Sequence, residues 1–174
     1  MEDKVTVKQV GLKYGLILGL IFIVYGMILQ FLNLDVQLMQ NLGNVNYVIM
    51  VVFVVLAHKT FKQDGDGFMT LGQGIGLGML LTLISSVISG IFSYIYLKFI
   101  DDSMIQKSLD FQIEQMEKRG MGDDQIDVAM RMTEKFMTPE ILPILSIVFL
   151  CLAGFVISLI VSLITKKNNP ALDV

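Results

Sequence analysis

The sequence predicts an all-α fold: a four-helix transmembrane bundle with an extracytoplasmic amphipathic helical hairpin between transmembrane helices 3 and 4. Three observations carry this reading. Hydrophobic residues make up 54% of the 174-residue chain and charged residues only 17%, with a mean hydropathy of +0.69, a composition of the membrane class. Four apolar stretches, at about 11–32, 44–61, 71–100 and 139–165, are long enough to cross a bilayer. Ten of the sixteen carboxylates lie from Asp101 to Glu140, so a single charged insert, 101–138, separates the last two spans. Residues 1–174 read as a single integral membrane domain.

The first span follows Lys4, Lys8 and Lys13. The run Tyr14–Leu32 is long for a signal-peptide core, and no small-x-small cleavage site follows it, so we expect an uncleaved transmembrane helix. Gly11, Gly15 and Gly19 repeat at four-residue spacing, with Gly26 seven further on. That spacing puts them on one helix face. Lipid supplies no hydrophobic drive for helices to associate, so close backbone approach through small residues must hold them. The stripe therefore reads as a packing groove, with a lipid or ligand groove as the other reading.

Asn33–Asn46 carries no Lys or Arg and reads as a short loop, with Asn41-Leu-Gly-Asn44 as its turn signal. The core of span two, Val48–Ala57, is bulky and β-branched and has no glycine. It resembles a buried strand, but lipid tolerates no open sheet edge, so a helix is expected. Lacking a small-residue face, it is expected at the periphery of the bundle. His58, the only histidine, stands beside Lys59 and reads as an interfacial residue, because a lone His cannot build a zinc site. Asp64-Gly-Asp-Gly67 reads as a plain turn: the further acidic ligands of a calcium loop are missing.

Span three opens with Gly72, Gly74, Gly76 and Gly78. Neither a preceding strand nor a βαβ unit supports a dinucleotide loop. The residues instead form a stripe at four-residue spacing, Gly74, Gly78, Thr82, Ser86 and Gly90, with Ser85, Ser89 and Ser93 alongside. This is the longest small-residue face in the chain, so span three is expected at the centre. At thirty residues it would be roughly 45 Å long, against a bilayer core of about 30 Å, so it tilts or continues beyond the membrane. Span four starts at Thr138-Pro-Glu140, an N-cap followed by proline at the first helical position. It carries Gly154, Ser158 and Ser162 at four-residue spacing. Cys151 reads as a small packing residue. Lys166-Lys167 closes the span, and a disordered tail is expected over 168–174.

In the insert, Ile105, Leu109, Ile113 and Met116 step by four, four and three, one helical face. Glu114 and Lys118 form an i,i+4 pair. Gly120-Met-Gly122 ends this helix, and Asp123-Asp124 can cap the next. Ile126, Ala129, Met130, Thr133 and Met137 share a second face, with Met132 and Phe136 at its edge. The pair of helices can close on itself as a cap, lie on the outer leaflet, or offer its methionine-rich faces to a partner.

Lysines gather at the terminal segments and the span two–three turn, and the short loop on the other side has none. The positive-inside rule then places both termini in the cytoplasm and the insert outside. Asp, Glu, Lys and Arg are absent from the middle of the spans, which argues against ion-coupled transport. It leaves open a passive lipid pathway lined by Thr82, Ser85, Ser86 and Ser89. We find no metal-ligand spacing, nucleophile elbow or P-loop, and no basic patch with interleaved aromatics, so neither a cofactor nor nucleic acid is expected.

Gly11-Leu-Lys-Tyr-Gly-Leu-Ile-Leu-Gly-Leu20, Phe68-Met-Thr-Leu-Gly-Gln-Gly74, Phe92-Ser-Tyr-Ile-Tyr96 and Phe136-Met-Thr-Pro139 together resemble the bacterial membrane family named domain of unknown function 4199, over nearly the whole chain. The resemblance implies a small four-helix inner-membrane protein with a helical insert between its last two helices. It carries no activity or functional residues over. The function expected is that of a non-catalytic accessory or scaffold subunit among membrane lipids. Its hairpin would present Ile105, Leu109, Ile113, Met116, Ile126, Met130 and Met137 to a membrane-protein partner or to a second copy. The alternative is a passive transport or lipid-handling accessory, for example a partner of a polyprenyl-phosphate glycosyltransferase.

Overall fold

A computed structural model describes residues 5–32 and 34–168. Lys4, Asn33 and the expected disordered tail from residue 169 lie outside the described residues. The described residues form seven helices in order: α1 (Val7–Phe31), α2 (Val36–Gly43), α3 (Val45–Gln63), α4 (Leu71–Phe99), α5 (Ser103–Lys118), α6 (Asp123–Phe136) and α7 (Ile141–Thr165). Among the described residues the only β pairing is an isolated bridge between Met69 and Lys167. Four helical segments among the described residues are long and apolar enough to cross a membrane: α1, α2–α3 taken together, α4 and α7.

Local chemistry sets several helix starts. Thr6 and Gln9 form a reciprocal capping box, as do Thr70 and Gln73; each satisfies two backbone donors that the helix leaves without partners. One expected loop is largely helical. Asp35 Oδ1 accepts from Leu38 N at 2.8 Å, nucleating α2 within the segment read as loop, and Tyr25 then donates to Leu42 O at 2.9 Å and ties α2 to α1. Thr138, expected as the N-cap of α7, lies before the cap, which is Glu140, though its Oγ1 accepts from Ile141 N at 3.3 Å. The regular helix begins only at Ile141, after Pro139 and Glu140. Asp123 and Asp124 occupy the first turn of α6 rather than its cap, which is Gly122. There they face the positive end of the helix dipole.

Helix α4 is the centre of the bundle. On one side it runs parallel to α1. A Cβ on Gly11 would meet Leu80, one on Gly15 would meet Ile84, and one on Gly19 would meet Ile88. On its other side it runs antiparallel to α7. Gly74 faces Ser162, Gly78 faces Ser158, Thr82 faces Gly154, and Gly90 faces Ile147. Each small residue admits the neighbouring helix where a side chain would collide. The alternate glycines Gly72 and Gly76 have open space beside them and take no part. Helix α3 fills the remaining corner and touches α1, α4 and α7 through Met50, Val54, Ala57, His58 and Phe61.

Toward the lysine-rich end the spans share an apolar core that includes Val54, Ala57, Phe61, Leu77 and Leu81. At the other end α5 and α6 pair around Ile105, Leu109, Ile126 and Met130. Leu97 of α4 and Leu142 of α7 pack against this second core, and α5 also touches α2. The hairpin thus reaches from the α4–α7 side of the bundle to the α1–α3 side.

Candidate functional site

Buried polar groups interrupt the apolar interior along the α4–α7 seam, where the Thr82, Ser158 and Ser162 hydroxyls lack partners, and in two clusters. The first is at the lysine-rich end. His58, expected at the interface, is instead 0% exposed. Its Nδ1 lies 2.8 Å from Thr165 Oγ1 and its Nε2 3.0 Å from the Gly74 carbonyl oxygen. Nε2–H donates to the Gly74 carbonyl, while the Thr165 hydroxyl, also 2.8 Å from Val161 O, has a single hydrogen to give to either the Val161 carbonyl or Nδ1. Lys62 Nζ donates to Thr165 O at 2.8 Å, and Met69 and Lys167 exchange two backbone bonds of 2.9 Å each. Tyr14 Oη and Thr60 Oγ1 are 2.7 Å apart. The cluster fastens α1, α3, α4 and α7 together. No group of three His, Cys, Asp or Glu able to hold a metal occurs among the described residues.

The second cluster is hollow. A cavity of about 200 Å³ lies in the hairpin-side half of the bundle and is lined by all four spanning segments. Helix α4 contributes Ser86, Ser89, Ser93 and Tyr96, α1 contributes Gln30, α3 contributes Asn46 and α7 contributes Ser146. Gly26 leaves space: a Cβ there would meet nothing within 4 Å. Ser86 is near the middle of α4 and Tyr96 near its end, so the lining extends about 15 Å along the helix. The cavity therefore runs from the centre of the bundle toward the hairpin.

Its hydrogen-bonding capacity is unbalanced. Ser86 donates to Leu83 O at 3.0 Å and Ser89 donates to Ser86 O at 3.2 Å. Both hydroxyls keep lone pairs free to accept. Gln30 Oε1 and Asn46 Oδ1 are buried with no hydrogen-bond partner, and an orphaned buried acceptor costs about 1–3 kcal/mol. No charged side chain lines the cavity. Its hydroxyls and carboxamides can donate and accept, so it suits an uncharged polar group, and an ion entering it would lose hydration without gaining a counter-charge.

The small residues named from the sequence fall into different environments. Gly11, Gly15, Gly19, Gly74, Gly78, Gly154 and Ser158 lie at tight helix contacts, while Ser86 and Gly90 also line the cavity. Of the four residues expected along a lipid pathway, Ser86 and Ser89 line the cavity and Thr82 and Ser85 do not. Thr82 is closed off by its contact with Gly154, and Ser85 by its contact with Gly19. On the hairpin, Ile105, Leu109, Ile126 and Met130 are buried in its own core, and Ile113, Met116 and Met137 pack around them. The exposed apolar row is instead Val128, Met132 and Phe136 on α6.

Three important residues escaped the sequence reading. His58 shares its inward face with Met50, Val54 and Phe61, whose spacing was the available signal. Gln30 follows Gly19 and Gly26 by eleven and four residues, on the glycine face of α1. Asn46 has no comparable signal; its place depends on α2, which sets the angle at which α3 enters.

The family model described as Protein of unknown function (DUF4199) matches residues 13–167, and the chain belongs to that family. No curated protein and no solved structure matches the chain.

Proposed function

We propose that this is a non-catalytic accessory protein of the bacterial inner membrane that holds the polar part of an uncharged amphiphile in the hairpin-side half of its bundle. One observation carries the reading: a polar cavity lined by all four spanning segments, with two buried acceptors lacking partners. A bundle needed only as an anchor gains nothing from such a cavity, because small residues could close it as Gly74, Gly78 and Gly154 close their part of the seam. The absence of any cation in the lining weighs against a phosphate headgroup there, and so against direct contact with a polyprenyl phosphate. Lys8, Lys13, Lys59, Lys62 and Lys166 gather at the His58 end, which supports a cytoplasmic position for that end and an extracytoplasmic one for the hairpin. The test is lipid analysis after mild extraction. An uncharged hydroxyl-bearing lipid is expected to co-purify with the wild type and to be depleted with Ser93→Phe, which fills the cavity. Equal lipid profiles in two folded proteins would refute the reading.

A second reading rests on the row Val128, Met132 and Phe136, exposed at 63%, 64% and 55%. Such a row, set on a hairpin with its own core, fits docking of another membrane protein or a second copy. It is compatible with the first reading, because the hairpin spans the end of the bundle that holds the cavity.

A further inference from the structure

The polar cavity has a neighbour. A second hollow of about 370 Å³ lies on the outside of the α4–α7 seam, lined by Gly90, Ile91, Tyr94, Pro143, Ile144 and Ile147, with Glu140 at its rim. Gly90 lines both hollows. On α7 the residues divide between them: Ser146 and Leu150 line the inner cavity, Pro143, Ile144 and Ile147 the outer groove. The partition between polar interior and lipid is therefore thin at one point. It consists of the bare backbone of Gly90 and the side chain of Ile147, whose Cδ1 would lie 2.7 Å from a Cβ on Gly90.

The rest of the seam differs. Toward the lysine-rich end it is closed by Gly74 on the Ser162 side chain, Gly78 on the Ser158 side chain and Gly154 on the Thr82 side chain, short side chains that turn about one bond only. At Gly90 the closing element is the end of an isoleucine, which changes rotamer without moving either helix. The groove outside is apolar along its length. At its rim Lys98 Nζ sits 2.9 Å from Glu140 Oε1 and 5.2 Å from the centre of the Tyr94 ring. Such a charged and aromatic cluster belongs at the level of lipid headgroups.

Resting on the cavity reading above, we infer that Gly90 and Ile147 form a lateral portal, and that the ligand is a hydroxyl-bearing neutral glycerolipid. Its uncharged head enters the inner cavity from the bilayer between α4 and α7, and its chain stays in the outer groove. The head donates its hydroxyl to an acceptor among Gln30, Asn46 and the serines. No covalent step is involved.

The test uses the full-length protein in nanodiscs, with two photoreactive dioleoylglycerol probes. One carries its diazirine next to the glycerol, the other at mid-chain, and adducts are mapped by mass spectrometry. The head-proximal probe is expected to label the segments around Ser89–Ser93 and Ser146, and the mid-chain probe those around Ile91 and Ile144. Ile147→Trp should slow head-proximal labelling about tenfold, as about 1.4 kcal/mol added to the entry barrier would, and lower mid-chain labelling by a smaller factor. Ile147→Ala should speed head-proximal labelling, so the proposal stands on an ordered series even if the tryptophan variant does not fold. Capping the probe's hydroxyl with a methyl group should also reduce inner labelling. Head-proximal adducts of equal yield in all three proteins would overturn the portal and leave the cavity reading intact. No inner adducts in any of them, a cavity holding only water, would overturn both.

Discussion

His58 Nδ1 lies 2.8 Å from Thr165 Oγ1 although 107 residues separate them in the chain. The ring also reaches the Gly74 carbonyl, so a single side chain joins three spanning helices. His58→Ala removes both bonds and leaves a void where nothing is exposed. We expect a loss of about 2–3 kcal/mol, read as a lowered melting temperature in detergent. Thr165→Val keeps the volume and removes one partner; transmembrane hydrogen bonds average about 0.6 kcal/mol, so a loss near or somewhat above that is expected. A histidine variant as stable as the wild type would show that the cluster does not bind the helices together.

Glycines on α4 should divide sharply. Gly78→Leu and Gly74→Leu drive a side chain into α7 at Ser158 and Ser162, and each should cost about 1–3 kcal/mol or separate the helices. Gly72→Leu and Gly76→Leu face open space and should be neutral or slightly stabilising, because leucine favours a helix more than glycine does. Thermal melts of the four variants check this. Equal effects at all four positions would mean that the cost lies in helix propensity and not in packing.

The two apolar faces of the hairpin should behave oppositely. Leu109→Glu and Met130→Glu place an unpaired charge in the α5–α6 core and should expose 103–136 to proteolysis while the bundle stays intact. Val128→Glu and Met132→Glu alter exposed positions and should leave the protease pattern unchanged. If the hairpin docks a partner, this second pair also abolishes co-purification with it.

Acid should loosen the junction between α4 and α7 outside the membrane. The Lys98 ammonium bonded to Glu140 holds its carboxyl below the ordinary value of 4.5, and the Ser103 backbone N–H does the same for Asp101. A carboxyl lowered on folding adds stability that is complete above its ordinary value and fades as pH falls through the folded one. Both groups face solvent, so the effect is small. Glu140→Gln should reduce the difference in melting temperature between pH 7 and pH 3, and the two proteins should converge at the acid end.

Orientation can be read with a single cysteine. In a Cys151→Ala background, Gly120→Cys places a thiol at the hairpin turn, where φ is +75°. A membrane-impermeant maleimide added to intact cells should label it. Labelling only after the inner membrane is opened would reverse the assigned topology.

Much of the architecture is legible from periodicity. The stripes Gly11–Gly15–Gly19 and Gly74–Gly78 point to close helix contacts because a missing side chain in a lipid-facing segment has few other uses. Ile105, Leu109, Ile126 and Met130 fall on single helical faces, so pairing of α5 with α6 can be anticipated. Asp35 as the cap of α2, by contrast, sits in a segment whose Asn and Gly content reads as a turn. Local composition could not weigh that cap against the contact of Tyr25 with Leu42.

By itself, then, the sequence determined the class, the four membrane-crossing segments, the helical insert and the small faces along which the helices approach. These depend on hydropathy and helical period, which are properties of one segment at a time. Only the tertiary structure decided that the bundle packs an apolar core around Leu18 and Leu81 and is hollow beside Ser89 and Ser93, that His58 turns inward, and that Gly90 separates a polar cavity from an apolar groove. A cavity belongs to no single helix. It is the space left when Gln30, Asn46, Tyr96 and Ser146, from four different segments, are brought to one height, and that height is set by contacts such as Gly19 on Ile88 and Gly90 on Ile147.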